Sequence, residues 1–492
     1  MRWMVVARVL GLVALLAAPL VLAPLVVDWA AGRPVRPWLE TLLVCVVVGI
    51  ALHAAGRRGG AGVTPLDGAA ITTGAWLLLS LLAGWGIHRA APQTTWIEGW
   101  FEAMSALTTT GASVFGAGER LAFATLTPGA LLWRAICCAL GGIGVVVMTV
   151  SLLPLIGSSG FQLFRSEVSG LATDRLTPRL ADTARLIALF NLAAIALLSG
   201  ALHLAGAGWL DAVCHALATI STAGFSSYEA SADGLSAAGQ WLLIAGMVVG
   251  GTNAALVIAA LRGRPGPLWR SEEARTYAAL LLGLSAIVVL ALVWHGQSPY
   301  AGRGIEETVR HGVFATVSLA TSTGFTLGYE VVPASWNAWP APAQAALLLA
   351  CLGLACAGST GGGIKAVRVL LIVKLAGRAL RQFREPALVA PVALDGRPLS
   401  ERAVLSACVV LALFALSWAV GTLVLATLTA LDLGSAASAA LSCLANIGPG
   451  FGQVGPERSF AHLGQDGLAV AGCLMLVGRL EFLAVLALLA RR

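Results

Sequence analysis

The sequence predicts an all-α polytopic membrane protein. Its chain reads as four span–pore-helix–filter–span repeats in pseudo-fourfold array around a central pore, plus an extra N-terminal helical pair. Three observations carry this. Of 492 residues, 58% are hydrophobic and only 11% charged, less than half the roughly 25% of a soluble chain. Apolar runs recur along almost the whole length, several exceeding the ~18 residues that cross a bilayer. The polar stretches between them alternate in kind, and a Thr/Gly cluster returns four times. The first two observations exclude a soluble enzyme.

The first apolar run, near 9–27, follows Arg2 and Arg8 as a signal peptide would. Its apolar part is too long, and Asp28-Trp29 follows where small cleavage-site residues belong. It reads as an uncleaved span, paired with a second near 38–55. Further runs fall near 69–88, 129–153, 183–205, 240–261, 276–295, 343–375, 403–430 and 466–490. They divide the chain into an N-terminal pair (1–60) and four units, 61–165, 166–265, 266–385 and 386–492.

Each unit carries a half-length amphipathic segment between its spans. These are WIEGWFEAMSALTTTGAS (96–113), GWLDAVCHALATISTAGFS (208–226), ETVRHGVFATVSLATSTGFT (307–326) and LGSAASAALSCLANIGPGFG (433–452). One register aligns Gly111, Gly224, Gly324 and Gly448. Two residues earlier stand Thr109, Thr222, Ser322 and Asn446, all small and polar; between them and the glycines stand Thr110, Ala223, Thr323 and Ile447. An acid opens the first two copies, at Glu98 and Asp211. A single such cluster reads as an ordinary turn or helix C-cap. Four in register, each between a half-length helix and a full span, report duplicated units.

The net charge of +7 comes from 31 basic residues, of which only Lys365 and Lys374 are lysines. They gather in short clusters rather than on a solvated face, so nucleic acid is not an expected partner. Arg57-Arg58, Arg165 to Arg185, Arg262-Arg264-Arg270, Arg378-Arg381-Arg384, Arg397-Arg402 and Arg491-Arg492 fall on one side. Glu98, Asp211, Glu229, Asp233, Glu306, Glu307, Glu330 and Asp432 fall on the other. The positive-inside tendency makes the basic side cytoplasmic, with the Gly loops outward and an acidic rim that concentrates cations. Arg134, just after the span start at Thr127-Pro128, reads as interfacial. The nine cysteines form no C-x-x-C pair and the seven histidines no H-E-x-x-H set, so both read as packing or interfacial residues.

Irregular backbone at membrane depth is tolerated only when buried in protein or lining a water-filled path. Four such loops imply one axis. Rings of carbonyls replace the hydration shell of a cation without a fixed buried charge, and the dihedrals this needs are cheap for glycine. The half-length helices end at these loops, so their partly negative ends aim at the same place.

Two other features stand out. Gly358, Ser359, Thr360, Gly361, Gly362, Gly363 and Lys365 lie inside the apolar run 343–375. A phosphate-binding loop needs Gly-Lys-Ser/Thr, whereas Ile364-Lys365-Ala366 follows Gly363 here. So many glycines break the helix, giving either an unwound intramembrane loop or a close-packing kink. Arg479, in Gly478-Arg479-Leu480-Glu481, is a charge inside the last run. It reads as a functional residue, as a partner for Glu481 or Glu167, or as a snorkelling side chain.

Together these residues resemble the Trk/Ktr/HKT superfamily of potassium transporters, specifically its bacterial TrkH-type branch. The resemblance covers essentially the whole chain. It includes LGGIGVVVMTVSLLP (140–154), LTPR (176–179), GGTN (250–253), AGSTGGGIK (357–365), NIGPGFG (446–452) and GRLE (478–481), while the pair at 9–55 sets this branch apart from shorter Ktr subunits. The resemblance implies a multi-pass protein of the cell inner membrane that takes up K+ through a channel-like pore. Carbonyls of Thr109-Thr110-Gly111, Thr222-Ala223-Gly224, Ser322-Thr323-Gly324 and Asn446-Ile447-Gly448 would coordinate the ion. Sodium-preferring plant relatives carry serine at the first of these glycines, so four glycines favour potassium. The Gly358–Lys365 segment would be a gating loop under the filter, with Arg479 pointing at the pore beside it. The implied partners are a homodimer mate and a cytosolic TrkA-type ring that binds NAD or ATP and controls the gate. The basic segments at 165–185 and 374–402 serve as its docking surface or as plain lipid-facing topology. The chain carries no nucleotide motif and no organic cofactor is expected, so the membrane potential would drive the flux, passively or with protons.

A membrane-embedded lipid or prenyl transferase would need clustered aspartates or a Ser/His/Asp set, which the sequence lacks. An inverted-repeat secondary transporter would need pairwise inversion and a midplane carboxylate, whereas the four copies run in one direction.

Overall fold

The computed structural model describes residues 1–57, 64–116, 120–152, 177–296, 298–327, 336–387 and 391–482. Its N-terminal pair is a hairpin. Trp3–Ala17 (α1) passes through the 3-10 turn Ala18–Val21 into Leu22–Ala30 (α2), and Arg36–Ala55 (α3) returns. Pro19 starts the tighter turn because proline cannot donate to the α-helical ladder. The buried Asp28 carboxylate ties this pair to the first unit. It accepts from Trp38 Nε1 (2.6 Å), Thr127 Oγ1 (2.7 Å) and the Gly129 amide (2.7 Å) at the start of a later helix.

The first unit is Pro65–Ala90 (α4), the half-length Trp96–Leu107 (α5) and Pro128–Leu152 (α6). The second is Thr177–Leu204 (α7), Trp209–Ile220 (α8), Ala237–Gly251 (α9) and Ala254–Leu261 (α10). Short Gly266–Arg270 (α11) leads into the third, Glu272–Trp294 (α12), Ile305–Ala320 (α13), Ala341–Ala350 (α14) and Ala366–Arg384 (α15). A two-stranded hairpin, Ala393–Leu394 (β1) with Arg397–Pro398 (β2), precedes the fourth, Glu401–Leu428 (α16), Leu433–Leu444 (α17) and Gly464–Arg479 (α18). Capping sets the helix starts: Thr95 and Glu98 form a capping box on α5, and Asp432 accepts from the Ser435 amide at α17.

Among the described residues, seven helices are long and apolar enough to cross a membrane. Their outer faces carry residues such as Leu197 and Leu423, as lipid contact requires. Two of the apolar runs are not continuous helices. The run 343–375 opens between α14 and α15 into a non-helical segment, one of the two readings open for it. The run 240–261 bends by 108° between α9 and α10, which corrects the straight span expected there. Asn253 causes this bend by leaving the helix and capping α10, its Oδ1 accepting from the Ala255 amide at 3.0 Å. The C-terminal part of the run 466–490 lies outside the described residues, as do Arg58, Glu330 and the basic segment from Arg165 through Arg175.

The apolar core forms two large clusters. One joins the second and third units and extends into the fourth through Phe414 and Leu444, and the other joins the N-terminal pair to the first and fourth units. Residues of the Gly loops belong to both: Phe325 and Ile447 to one, Ala223 and Phe225 to the other. The Gly loops therefore sit where the two clusters meet.

Candidate ion pathway

All four half-length helices end in the same way. Thr109, Thr222, Ser322 and Asn446 take the left-handed conformation, with φ of 54°, 52°, 55° and 54°. Their amides bond back to Ala106, Thr219, Leu319 and Cys443, at 3.1, 3.0, 3.0 and 3.2 Å. The next amides, of Thr110, Ala223, Thr323 and Ile447, reach Ser105, Ala218, Ser318 and Ser442, at 2.8, 2.9, 2.8 and 2.9 Å. This is a Schellman cap, repeated four times. The C-cap reading of these clusters is therefore correct as far as it goes. What it leaves unexplained is the glycine that follows.

Gly111, Gly224, Gly324 and Gly448 also have positive φ, at 82°, 65°, 87° and 103°. Each abuts the loop of the next unit. A Cβ on Gly111 would collide with the Ala223 carbonyl oxygen, one on Gly224 with that of Thr323, and one on Gly324 with that of Ile447. A Cβ on Gly448 would lie 2.6 Å from the Thr110 carbonyl oxygen, which closes the circle. The loops form a ring in chain order, and at each junction a carbonyl fills the space a side chain would need.

The caps also decide which polar groups remain available. The amides of the ring residues are consumed by the helix ends. The carbonyls of Thr109, Thr110, Thr222, Ala223, Ser322, Thr323, Asn446 and Ile447 accept no hydrogen bond among the described residues. All eight residues are fully buried. Buried carbonyls without donors are costly, so a native set of them calls for an explanation. A desolvated cation supplies one. The side chains before the glycines mostly fix the loops: Thr110 bonds Thr108 (2.8 Å), Thr323 bonds Thr321 (2.7 Å), and Asn446 Nδ2 donates to Thr110 Oγ1 (3.1 Å). Thr109 Oγ1 has no hydrogen-bond partner among the described residues.

A second layer packs against the helix ends. Gly141-Gly142, Gly250-Gly251, Gly361-Gly362 and Gly478-Arg479 occupy matching places. The first of each pair touches its own unit's helix end: Leu107 O for Gly141, Ile220 O for Gly250, Thr321 O for Gly361 and Leu444 O for Gly478. The second faces the next unit, at Ser221 for Gly142, Thr321 for Gly251 and Ala445 for Gly362. Arg479 stands where the fourth unit would have its second glycine. It is 5% exposed, and its guanidinium donates to Thr360 O (2.8 Å) and Gly141 O (3.1 Å). The partner expected in Glu481 is not used; that carboxylate takes Arg368 instead, at 2.5 Å. Glu167 lies outside the described residues.

The non-helical segment of the third unit crosses this layer. Its ends are zipped, Ile364 to Leu352 (2.8 Å) and Lys365 to Gly353 (2.9 Å). Thr360 Oγ1 donates to Ile220 O (2.9 Å), the Gly362 amide donates to Ser322 Oγ (2.7 Å), and Ser359 Oγ bonds Cys356 O (2.6 Å). Lys365 turns back onto the Gly361 carbonyl. Gly358 and Gly363 take φ of 73° and 76°. Together with Arg479, the segment touches all four units directly beneath the ring.

Sequence reasoning missed what holds this segment. The Ala357 amide donates to Glu273 Oε1 at 2.5 Å, and the Ala357 carbonyl accepts from Asn253 Nδ2 at 2.9 Å. Asn253 belongs to the quoted GGTN motif; Glu273 sits in the first turn of a span, where it resembles an ordinary capping acid. Arg134 is not interfacial. It is 2% exposed, lies 3.4 Å from Glu102, and covers the Phe225 ring at 4.4 Å. Three of the acids expected at an outer rim are held in ion pairs: Glu98 with Arg120, Glu306 with Arg310 and Glu307 with Arg303. Asp432 is held below the usual carboxylate range by the hydrogen bonds of Ser435.

Comparison with known proteins places this architecture. The family profile described as TrkH, cation transport protein, matches residues 39–491. A Trk system potassium uptake protein TrkH of Salmonella typhimurium is 30% identical, covering 99% of this chain and 98% of its own. A Trk system potassium uptake protein TrkG of Escherichia coli is 31% identical over 88% of this chain and 86% of its own. The crystal structure of the potassium transporter TrkH from Vibrio parahaemolyticus aligns with a TM-score of 0.87 at 29% identity, covering 100% of this chain and 99% of that one. The chain is an all-α polytopic membrane protein that belongs to the TrkH family of cation transport proteins.

Proposed function

We propose that this chain takes up potassium across the cytoplasmic membrane through the ring of Gly loops, driven by the membrane potential. The observation that carries the reading is the closed ring of four Schellman-capped loops with eight buried carbonyls that accept no hydrogen bond among the described residues. Such an oxygen cage replaces a hydration shell and adds no fixed charge. The names of the relatives, potassium uptake proteins, support K+ as the ion. In this reading the four triplets ending at Gly111, Gly224, Gly324 and Gly448 face outward and form the selectivity filter. The segment Gly358–Lys365 with Arg479 is the gate beneath. A cytosolic nucleotide-binding ring, docked on the basic face of a homodimer, would move it.

Each elementary charge falling through 100 mV gains about 2.3 kcal/mol, so conduction needs no energy source on this chain. Rb+ uptake into proteoliposomes, under an imposed potential and with Na+ as competitor, tests the assignment. Gly324→Ser should lower discrimination between K+ and Na+. Unchanged discrimination in that variant at normal flux would sink the filter assignment.

A further inference from the structure

We propose that the buried Glu102–Arg134 pair is a positioning element for cation discrimination, holding the first and second filter loops in register; this rests on the filter reading above. Glu102 Oε2 accepts from the Val114 amide (3.0 Å) and Oε1 from Ser113 Oγ (2.9 Å), both just past Gly111. Arg134 Nη2 donates to Ser226 O (3.2 Å), and its guanidinium lies 4.4 Å from the centre of the Phe225 ring, both just past Gly224. The two charges are 3.4 Å apart, with side chains 0% and 3% exposed. One pair therefore grips both sides of the junction at which the Ala223 carbonyl meets Gly111.

The geometry is not that of a pair selected for its own strength. A stabilising Arg–carboxylate pair is commonly bidentate. Here the carboxylate's hydrogen bonds go to one loop and the guanidinium's bond goes to the other, while Arg134 Nε and Nη1 make none among the described residues. Nor does the fold require charges at these places. The register position of Glu102 holds Ala315 and Ala439 in the third and fourth units. The position of Arg134, counted from Gly141, holds Leu243 and Ala471 in the second and fourth. Apolar residues in place of a buried ion pair often leave stability equal or higher.

At the other three junctions the residues past the glycines meet without an ion pair among the described residues, although the Glu306–Arg310 pair ties the third unit to Gln240 of the second. The Thr326 amide meets Ser231 Oγ (3.1 Å), Trp336 Nε1 meets Gly450 O (2.9 Å), and the Phe460 amide meets Ser113 O (2.8 Å). The directional charge pair thus acts at one side of the ring. There the second loop carries Ala223, which lacks the hydroxyl that braces Thr110 and Thr323.

The test is the double variant Glu102→Ala with Arg134→Leu, which installs residues the other units carry. Purified protein is compared with wild type in proteoliposomes for Rb+ flux, for competition by K+ and by Na+, and for its thermal midpoint in detergent. The expected result is Rb+ flux and midpoint close to wild type, with the K+ over Na+ preference reduced about tenfold, as sub-ångström misplacement of ligating groups produces. A purely structural role would move the midpoint and lower all fluxes in proportion; an unchanged preference therefore overturns the proposal. If the double variant is not recovered folded, Arg134→Lys decides, with a lowered preference for the proposal and an unchanged one against it. Gly324→Ser, run in parallel, separates the two readings. If it leaves the preference unchanged, the filter assignment fails; if it lowers the preference and the double variant does not, only the brace fails.

Discussion

The ring and the layer beneath it use the same fourfold frame in opposite ways. In the ring the backbone repeats and the side chains vary. Thr109, Thr222, Ser322 and Asn446 share one conformation within a few degrees, while the next position runs Thr, Ala, Thr, Ile. In the layer beneath, the symmetry is broken by side chain and by backbone alike. Three units present a glycine pair and the fourth presents Gly478-Arg479, and among the described residues only the third unit opens into a long non-helical segment here. A site that ligates through carbonyls depends on dihedral angles and tolerates varied side chains. The layer beneath, which we propose as the gate, would depend instead on particular contacts that can be made and broken, and one asymmetric element is enough to block an axis.

The largest effect should therefore come from adding a methyl group to the ring. At Gly324 a Cβ meets the Ile447 carbonyl more closely than at any other junction, and φ of 87° is itself strained for alanine. Gly324→Ala should reduce Rb+ flux by on the order of 100-fold at equal protein level. Gly448→Ala, where the clearance is widest at 2.6 Å, should be the mildest of the four. Thr323→Ala, which reproduces the second unit, should stay within about threefold of wild type because it leaves the carbonyl in place. Equal losses for Thr323→Ala and Gly324→Ala would break the distinction between backbone and side chain.

The complementary change restores symmetry in the layer beneath. Arg479→Gly gives the fourth unit the glycine pair of the others and removes charge-assisted bonds to Thr360 O and Gly141 O. Such bonds contribute about 1.5–3 kcal/mol, so basal flux without any cytosolic partner should rise roughly tenfold while the K+ over Na+ preference holds. A lowered preference with unchanged basal flux would assign Arg479 to the filter rather than to the gate.

Much of this was legible in the sequence, for a physical reason. The four loops share residue types because one backbone conformation imposes them, so alignment on Gly111, Gly224, Gly324 and Gly448 found the ring directly. The break at 357–363 was equally visible, since glycine pays the backbone cost of leaving a helix openly. The bend at Asn253 was hidden because the flanking residues, Val248–Gly250 and Ala254–Ala260, are as apolar as any continuous span. The Glu102–Arg134 pair was hidden for a related reason. A charge near a span end reads as interfacial until the neighbouring unit is seen to cover it, and hydropathy carries no information about what packs against what.

A smaller effect is expected where the broken helix of the second unit holds the segment of the third. Asn253 gives one hydrogen bond to the Ala357 carbonyl and one cap to α10. Asn253→Ala removes both, at about 1 kcal/mol each. Basal Rb+ flux should rise several-fold, less than for Arg479→Gly. An equal or larger rise would move the principal restraint from the arginine to the clamp.

The smallest effect should be found at the opposite ends of the same half-length helices. Their C-terminal ends are identical, but their starts differ. Thr95 and Glu98 form a capping box and Asp432 caps Ser435, whereas Gly208 and Gly304 offer no side chain at all. Three kinds of start leading to one common end imply that the starts serve only to stabilise the helices. Thr95→Ala should thus cost about 1 kcal/mol, as a lost N-cap does, and lower the thermal midpoint slightly. Flux, K+ over Na+ preference and basal opening should all remain at wild-type values. A change in preference from Thr95→Ala, about four turns away from Thr109 along α5, would mean that the helix transmits its starting position to the ring. The identical caps would then be insufficient to fix the loop conformation locally.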